Sequence, residues 1–194
     1  MIASMDGIVA DFAAYSEKLQ ATLRDADLTG VAKLAKAMLD CWQNGRSMYL
    51  CGNGGSAGNA THLANDFVYG IAKEKGVGMR AHALPANSSV ITCLANDLDY
   101  SEIFSAQLKV FGRRGDVLIA LSGSGNSPNI LKAIGAAKDL GMPTYAVLGY
   151  NGGKAKEMVD VPIHFAVDDM QIAEDLQLVV GHMVMQWLHR NRKN

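Results

Sequence analysis

Three serines and two glycines stand within the seven residues Ser122-Gly123-Ser124-Gly125-Asn126-Ser127-Pro128. The apolar run at 116–121 before them is short, continuous and β-branched, which reads as a buried strand. The stretch from Asn129 onward is amphipathic. Ser127 suits a helix N-cap, and Pro128 suits the first helical turn. A strand, a small-residue loop and a helix N-terminus therefore follow one another. Such a loop presents backbone N–H groups and serine hydroxyls beside a partial positive charge, and it binds phosphate without Lys or Arg. The plain alternative is a tight turn with an ordinary serine cap.

A second glycine-rich loop, Cys51-Gly52-Asn53-Gly54-Gly55-Ser56, also follows an apolar run and opens a helical pattern. It lacks the last glycine of a dinucleotide fingerprint and the Gly-Lys-Ser/Thr of a nucleotide P-loop. Two such loops at the ends of neighbouring strands would bracket a pocket for a small phosphorylated ligand. The segment Tyr150-Asn151-Gly152-Gly153-Lys154 reads as a turn into a short helix on the same edge.

His62 and Asp66, four residues apart, share one face of the helix after the first loop. A carboxylate and an imidazole so placed can share a metal ion or act as an acid/base pair; otherwise they are a surface pair. His182 lies in the apolar run Val179-Val180-Gly181-His182-Met183-Val184, which fits a core histidine, although Gly181 leaves room for a close approach. Asn96-Asp97 is open to two readings, a pair for sugar hydroxyls or a helix-ending turn. Glu174 stands near a helix start, where a carboxylate is favoured on dipole grounds alone. His82, His164 and His189 belong to no constellation.

These groups need a frame. Ile8, Phe12, Tyr15, Leu19 and Leu23 recur at helical spacing, and Val31, Leu34, Ala35, Met38, Leu39 and Trp42 form a second stripe that Asn44-Gly45 ends. With no strand before it, this helical pair is expected to pack on another subunit, the alternative being its own sheet. From position 47, short apolar runs at 48–51, 81–84, 117–121, 144–148 and 161–166 alternate with helical patterns near 56–73, 101–112, 128–140 and 152–159. A last helix is expected over 172–190. The alternation predicts an α/β fold with a doubly wound, five-stranded parallel sheet in one domain over residues 1–194, the helices of 1–45 being added in front. Ligands then bind beyond the carboxyl ends of the strands.

The formal net charge of −1, with 49% apolar and 19% charged residues, gives no electrostatic reason to expect nucleic acid or a membrane surface. Cys41, Cys51 and Cys93 have no CxxC spacing and suit reduced thiols in a cytoplasmic protein. The first residues lack the basic start and apolar run of a signal peptide, and no stretch reaches the roughly 18 apolar residues of a membrane span.

Taken in order, Cys51–Ser56, His62, Asn96-Asp97, Ser122–Ser127 and Gly181-His182 resemble the sugar-isomerase (SIS) family nearly end to end. The resemblance implies a flavodoxin-like SIS fold and an aldose–ketose isomerase of a sugar phosphate, with sedoheptulose 7-phosphate as the expected substrate. It implies a cytoplasmic homotetramer with active sites between subunits. It also implies phosphate held by Ser122, Gly123, Ser124 and Ser127, and Asn53, Gly54, Gly55 and Ser56 near the substrate. Zinc would be held at His62 and His182. The chain has Asp66 where the family motif has Glu, and Glu174 where it has Gln. Both can ligate zinc, so the expected metal set is His62, Asp66, Glu174 and His182. Asp66 and His182 are the expected acid/base pair, with Glu174, Asn96 and Asp97 also at the substrate. The family also contains non-catalytic members, including one that binds a replication initiator protein, and isomerases of other sugar phosphates.

Overall fold

The computed structural model describes residues 4–73 and 76–191. Two helices come first, α1 (Met5–Arg24) and α2 (Thr29–Gln43). Then β1 (Ser47–Cys51), α3 (Gly55–Val68), β2 (Arg80–Ala83), α4 (Ser88–Asp97) and α5 (Ser105–Phe111) follow. The chain continues through β3 (Val117–Ser122), α6 (Pro128–Asp139), β4 (Thr144–Leu148), α7 (Gly153–Met158), β5 (Val161–His164) and α8 (Met170–Asn191). The five strands form one parallel sheet in the order β2-β1-β3-β4-β5.

The three inner strands are buried along their whole length, as parallel strands covered on both faces must be. One face packs on α2, α3 and α8 around Met38, Leu50, Phe67, Ile119 and Leu176. The other packs on α5, α6 and α7 around Phe104, Leu108, Leu118, Ile134 and Ala155. The strand order reverses direction between β1 and β3, so a crevice opens beyond their carboxyl ends. Both small-residue loops lie there.

The N-terminal helices divide. α2 buries Val31, Leu34, Met38 and Trp42 in the chain's own core, which corrects the expectation that both helices wait for another subunit. Its apolar stripe is wide enough to cover the sheet beside α8. α1 buries no residue. Polar contacts hold it to α8: the Tyr15 hydroxyl donates to Asp175, and the Lys18 ammonium lies 2.9 Å from Asp169.

Three other differences from the sequence reading have local causes. α4 has no counterpart among the expected helices. It buries no residue fully, but Ile91, Leu94 and Ala95 pack half-buried on the core at helical spacing, and Asn87 caps it by accepting from the Ser89 and Val90 N–H groups. The pattern at 101–112 is broken into a 3-10 turn (Tyr100–Glu102), which Asp99 caps, and then α5. α3 stops at Val68, followed by a 3-10 turn (Gly70–Ala72), rather than running to 73.

Candidate functional site

β1 ends at Cys51 and the chain turns through Gly52-Asn53-Gly54 into α3. At Gly52 a Cβ would fall 2.5 Å from the Ser56 carbonyl oxygen, so the turn is closed to any larger residue. Gly54 holds φ 54° at the helix N-cap. The Asn53 amide is fixed from the neighbouring loop. Its Nδ2 donates to Asn129 Oδ1 at 2.9 Å, and Asn129 Nδ2 donates back to Asn53 Oδ1 at 2.8 Å. Tyr100 adds a donor to the same oxygen at 3.3 Å.

On the β3 side, Ser122 is buried and its Oγ accepts from the Gly125 N–H at 3.0 Å. Ser124 Oγ accepts from the Asn126 N–H at 3.3 Å. Ser127 is the N-cap of α6, but its hydroxyl makes no cap bond. Serine hydroxyls therefore line a helix N-terminus, each still able to donate a proton. The segment at 150–154 is a turn into α7, as read. It braces the serine loop through Lys154 N–H to Asn126 Oδ1 and Ala155 N–H to the Gly125 carbonyl.

Two turns along α3, His62 and Asp66 meet His182 of α8. His62 Nε2 lies 3.2 Å from His182 Nε2, and Asp66 Oδ2 lies 3.3 Å from both imidazoles. His182 is not a core residue; its side chain is 44% exposed. Gly181 is the reason that α8 reaches α3. A Cβ there would fall 2.2 Å from Leu63 Cδ2, so the room that the glycine leaves is filled by a core leucine.

The three nitrogen and oxygen atoms suit a metal ion. Tetrahedral zinc with bonds of about 2.0–2.1 Å sets its ligand atoms about 3.3–3.4 Å apart. The observed spacings are the edges of one face of such a tetrahedron, and two imidazoles with one carboxylate match the ligand chemistry of zinc with a fourth position open.

Among the described residues of one chain the ligand-capable group is His62, Asp66 and His182, and Glu174 lies apart from it. Glu174 lies inside α8, eight residues and about 12 Å of helix before His182, and helical side chains lean toward the N-terminus. Its carboxylate rests instead on the first residue of α3: a Cβ at Gly55 would fall 2.2 Å from Glu174 Oε2. There a negative charge faces a helix N-terminus.

Asn96 and Asp97 form the last turn of α4. Asn96 Nδ2 donates to Asp97 Oδ1, the Cys93 thiol donates to Asp97 Oδ2, and no hydrogen bond among the described residues joins either to the loops or the cluster. The Asn96 amide and then the Cys93 thiol hold the Asp97 carboxyl below the usual range. At the end of β1, burial pushes the Cys51 thiol up to about 12, which removes it as a nucleophile.

Two buried amides were missed in the sequence. Asn129 is 1% exposed and locks Asn53. Gln177, also 1% exposed, donates to Ser56 Oγ at 2.9 Å and accepts from Asn59 Nδ2 at 3.0 Å; Asn59 Nδ2 also donates to the Glu174 carbonyl. Their one signal was an amide inside an apolar helix stripe, Gln177 beside Leu176 and Val180, Asn129 beside Ile130.

A family model described as the SIS domain matches residues 11–149. A phosphoheptose isomerase of Desulfovibrio desulfuricans is 34% identical over 179 residues, covering 92% of this chain and 85% of the relative. One of Helicobacter pylori (strain P12) is 34% identical over 186 residues, 96% of each chain. Among solved structures, a phosphoheptose isomerase from Francisella tularensis superposes with a TM-score of 0.89 at 27% identity, over 98% of this chain and 100% of that one. One from Neisseria gonorrhoeae gives 0.83 at 30% identity, over 93% and 96%.

Proposed function

The chain belongs to the SIS-domain family, and on that premise we propose that it is an aldose–ketose isomerase converting sedoheptulose 7-phosphate to D-glycero-D-manno-heptose 7-phosphate. The observation that carries the site assignment is the meeting of His62, Asp66 and His182 two turns along the helix that opens on the glycine-rich loop. The seven residues from Gly55 to His62 span about 10 Å of helix.

In this reading the Ser122, Ser124 and Ser127 hydroxyls, the Gly123 amide and the α6 N-terminus hold the phosphate. Asn53, Gly54, Gly55 and Ser56 line the sugar, with Asn53 fixed in place by Asn129. Asp66 removes a proton alpha to the carbonyl to give a cis-enediolate, and His182 returns a proton to the neighbouring carbon or oxygen. Zinc held at His62, Asp66 and His182 would polarise the substrate oxygens, and that ligation competes with proton transfer by the same Asp66 and His182 side chains. A carboxylate engaged by the metal is a weaker base, so Asp66 carries the proton most readily through its second oxygen. Glu174, Asn96 and Asp97 are further substrate contacts in this reading.

The same reading treats residues 1–194 as one SIS domain in a cytoplasmic homotetramer. Val9 and Phe12 on α1 are 58% and 69% exposed, the kind of apolar surface that a second copy covers. No helix among the described residues is long and apolar enough to cross a membrane. The test of the chemistry is His182→Ala. Its circular dichroism should be unchanged, and turnover should fall by at least the ~100-fold typical of a general acid–base group. Near-normal turnover would remove His182 from the mechanism.

A further inference from the structure

At the amino end of the sheet, away from both loops, lies a cleft of about 660 Å³. Ser47 and Arg80 open β1 and β2, and Asp116 directly precedes β3, so the cleft floor is the opposite end of the strands that carry the substrate loops. Helices α5 and α6 leave the outer strand β2 bare on this face, and the cleft occupies that gap.

Its charge is selective. Four of the seven arginines in the chain line it, Arg46, Arg80, Arg113 and Arg114, and no lysine among the described residues does. A guanidinium presents a planar fork of donors matched to phosphate oxygens, whereas an ammonium is a hydrated point charge. The one carboxylate on the floor is already engaged. Asp116 Oδ1 accepts from the Ser47 N–H and Oδ2 from the Arg113 N–H, both at 2.9 Å. Arg113 is anchored by its Nη1 on the Val110 and Gly112 carbonyls. Arg80 spends only its Nε, on Ser47 Oγ at 3.3 Å, and both of its Nη groups remain for a ligand.

The second feature is aromatic. The His82 ring stacks on Tyr49 with centroids 5.2 Å apart and planes 20° from parallel. Tyr49 lies beside it on β1 and is buried, so the other face of His82, on the edge strand β2, is left open as a flat platform on the cleft wall. Burial and the Arg80 cation push His82 below the usual imidazole range, which leaves the ring neutral at pH 7. Gln107, 8% exposed, donates to the Leu84 and Ile103 carbonyls and keeps its Oε1 as an acceptor on the same wall.

We propose that this cleft is a nucleoside-phosphate site, with the phosphates on the Arg80 and Arg113 guanidiniums and the base stacked on His82. The volume falls within the range of about 300–1,000 Å³ usual for small-molecule sites. Arg46 is paired with Asp40 at 3.2 Å; a plain sugar phosphate would leave the stacked platform unused, and an uncharged aromatic would leave the Arg80 fork unused. The assignment is independent of the isomerase reading.

The test is calorimetric titration of ADP, and separately of inorganic pyrophosphate, into the full-length chain at low salt. One ADP should bind per chain. Arg80→Ala should weaken both ligands at least tenfold. His82→Ala should weaken ADP at least threefold and leave pyrophosphate unchanged. Circular dichroism checks that each variant is folded, and Arg80→Lys, which keeps the charge but loses the fork, should weaken binding as well if Arg80→Ala does not fold. No ADP binding up to about 1 mM, near the weak limit of specific affinity, would overturn the proposal. So would ADP binding that neither variant changes. A His82→Ala effect equal on ADP and pyrophosphate would overturn the stacked base.

Discussion

Asn53 and Asn129 clasp each other by two reciprocal amide hydrogen bonds, 2.9 and 2.8 Å, across the point where the strand order reverses. One belongs to the loop after β1 and the other to the first turn of α6. The clasp therefore ties the two substrate loops together. It also consumes the donor and the acceptor that each amide would otherwise bury unpaired, a cost of about 1–3 kcal/mol per group.

Asn129→Leu keeps the volume and removes both bonds. The Asn53 amide is then free to rotate, and one of its polar atoms loses its partner. A loss of about 2 kcal/mol is expected, which lowers Tm by about 4–8 °C in a chain of this length. KM for the sugar phosphate should rise more than kcat falls, because the loops lose register and not the proton-transfer groups. Thermal melts and steady-state kinetics check both. An unchanged KM would show that Asn53 needs no clasp.

Gly181→Ala tests the packing that sets the metal cluster. The added methyl would meet Leu63 at 2.2 Å, so α8 must shift from α3 or Leu63 must leave its place in the core. Alanine is the better helix former by about 1 kcal/mol, yet overpacking costs typically 1–3 kcal/mol. Metal affinity should fall in the single variant, and Leu63→Ala in the same chain should restore it by freeing the space. Competition against a coloured zinc chelator reads the effect. Equal affinity in wild type and Gly181→Ala would detach the cluster from this contact.

Much of this geometry was visible in the residues. Strand β4 has the expected boundaries because a buried parallel strand is a bare apolar run between turn residues. α6 starts at Pro128 because Ser127-Pro128 has the chemistry of a helix start. The His62–Asp66 pair follows from helical spacing alone. The place of His182 does not: 120 residues separate it from His62, and only the resemblance linked them. Gly181 was read as leaving room for a close approach, and the group that approaches is Leu63, which a sequence cannot name. α4 was missed because its apolar face is short, only Ile91, Leu94 and Ala95 in a helix of 10 residues. Glu174 was read into the metal set because its carboxylate can ligate zinc; its eight-residue separation from His182 on one helix keeps it from the group within one chain.

The acid limb of stability has an identifiable contributor. Burial raises the Asp160 carboxyl, but the Thr144 hydroxyl and N–H and the Lys138 ammonium outweigh it and leave it below the usual range. A carboxyl with a depressed folded pKa stabilises the fold above its unfolded value of about 3.9, and that contribution is lost as pH falls through the folded value. Unfolding free energy should therefore drop as pH falls below about 4, and Asp160→Asn should flatten that slope while also costing some stability at pH 7. Urea titrations between pH 2.5 and 7 measure it. An unaltered slope in Asp160→Asn would assign the acid sensitivity to other carboxyls.

One assay decides the function: the purified 194-residue chain with sedoheptulose 7-phosphate, followed by NMR, before and after removal of metal by a chelator and with zinc added back. The expected result is a heptose 7-phosphate product, loss of turnover on chelation and recovery with zinc. A folded protein that binds the sugar phosphate and forms no aldose from it, with or without zinc, would contradict it.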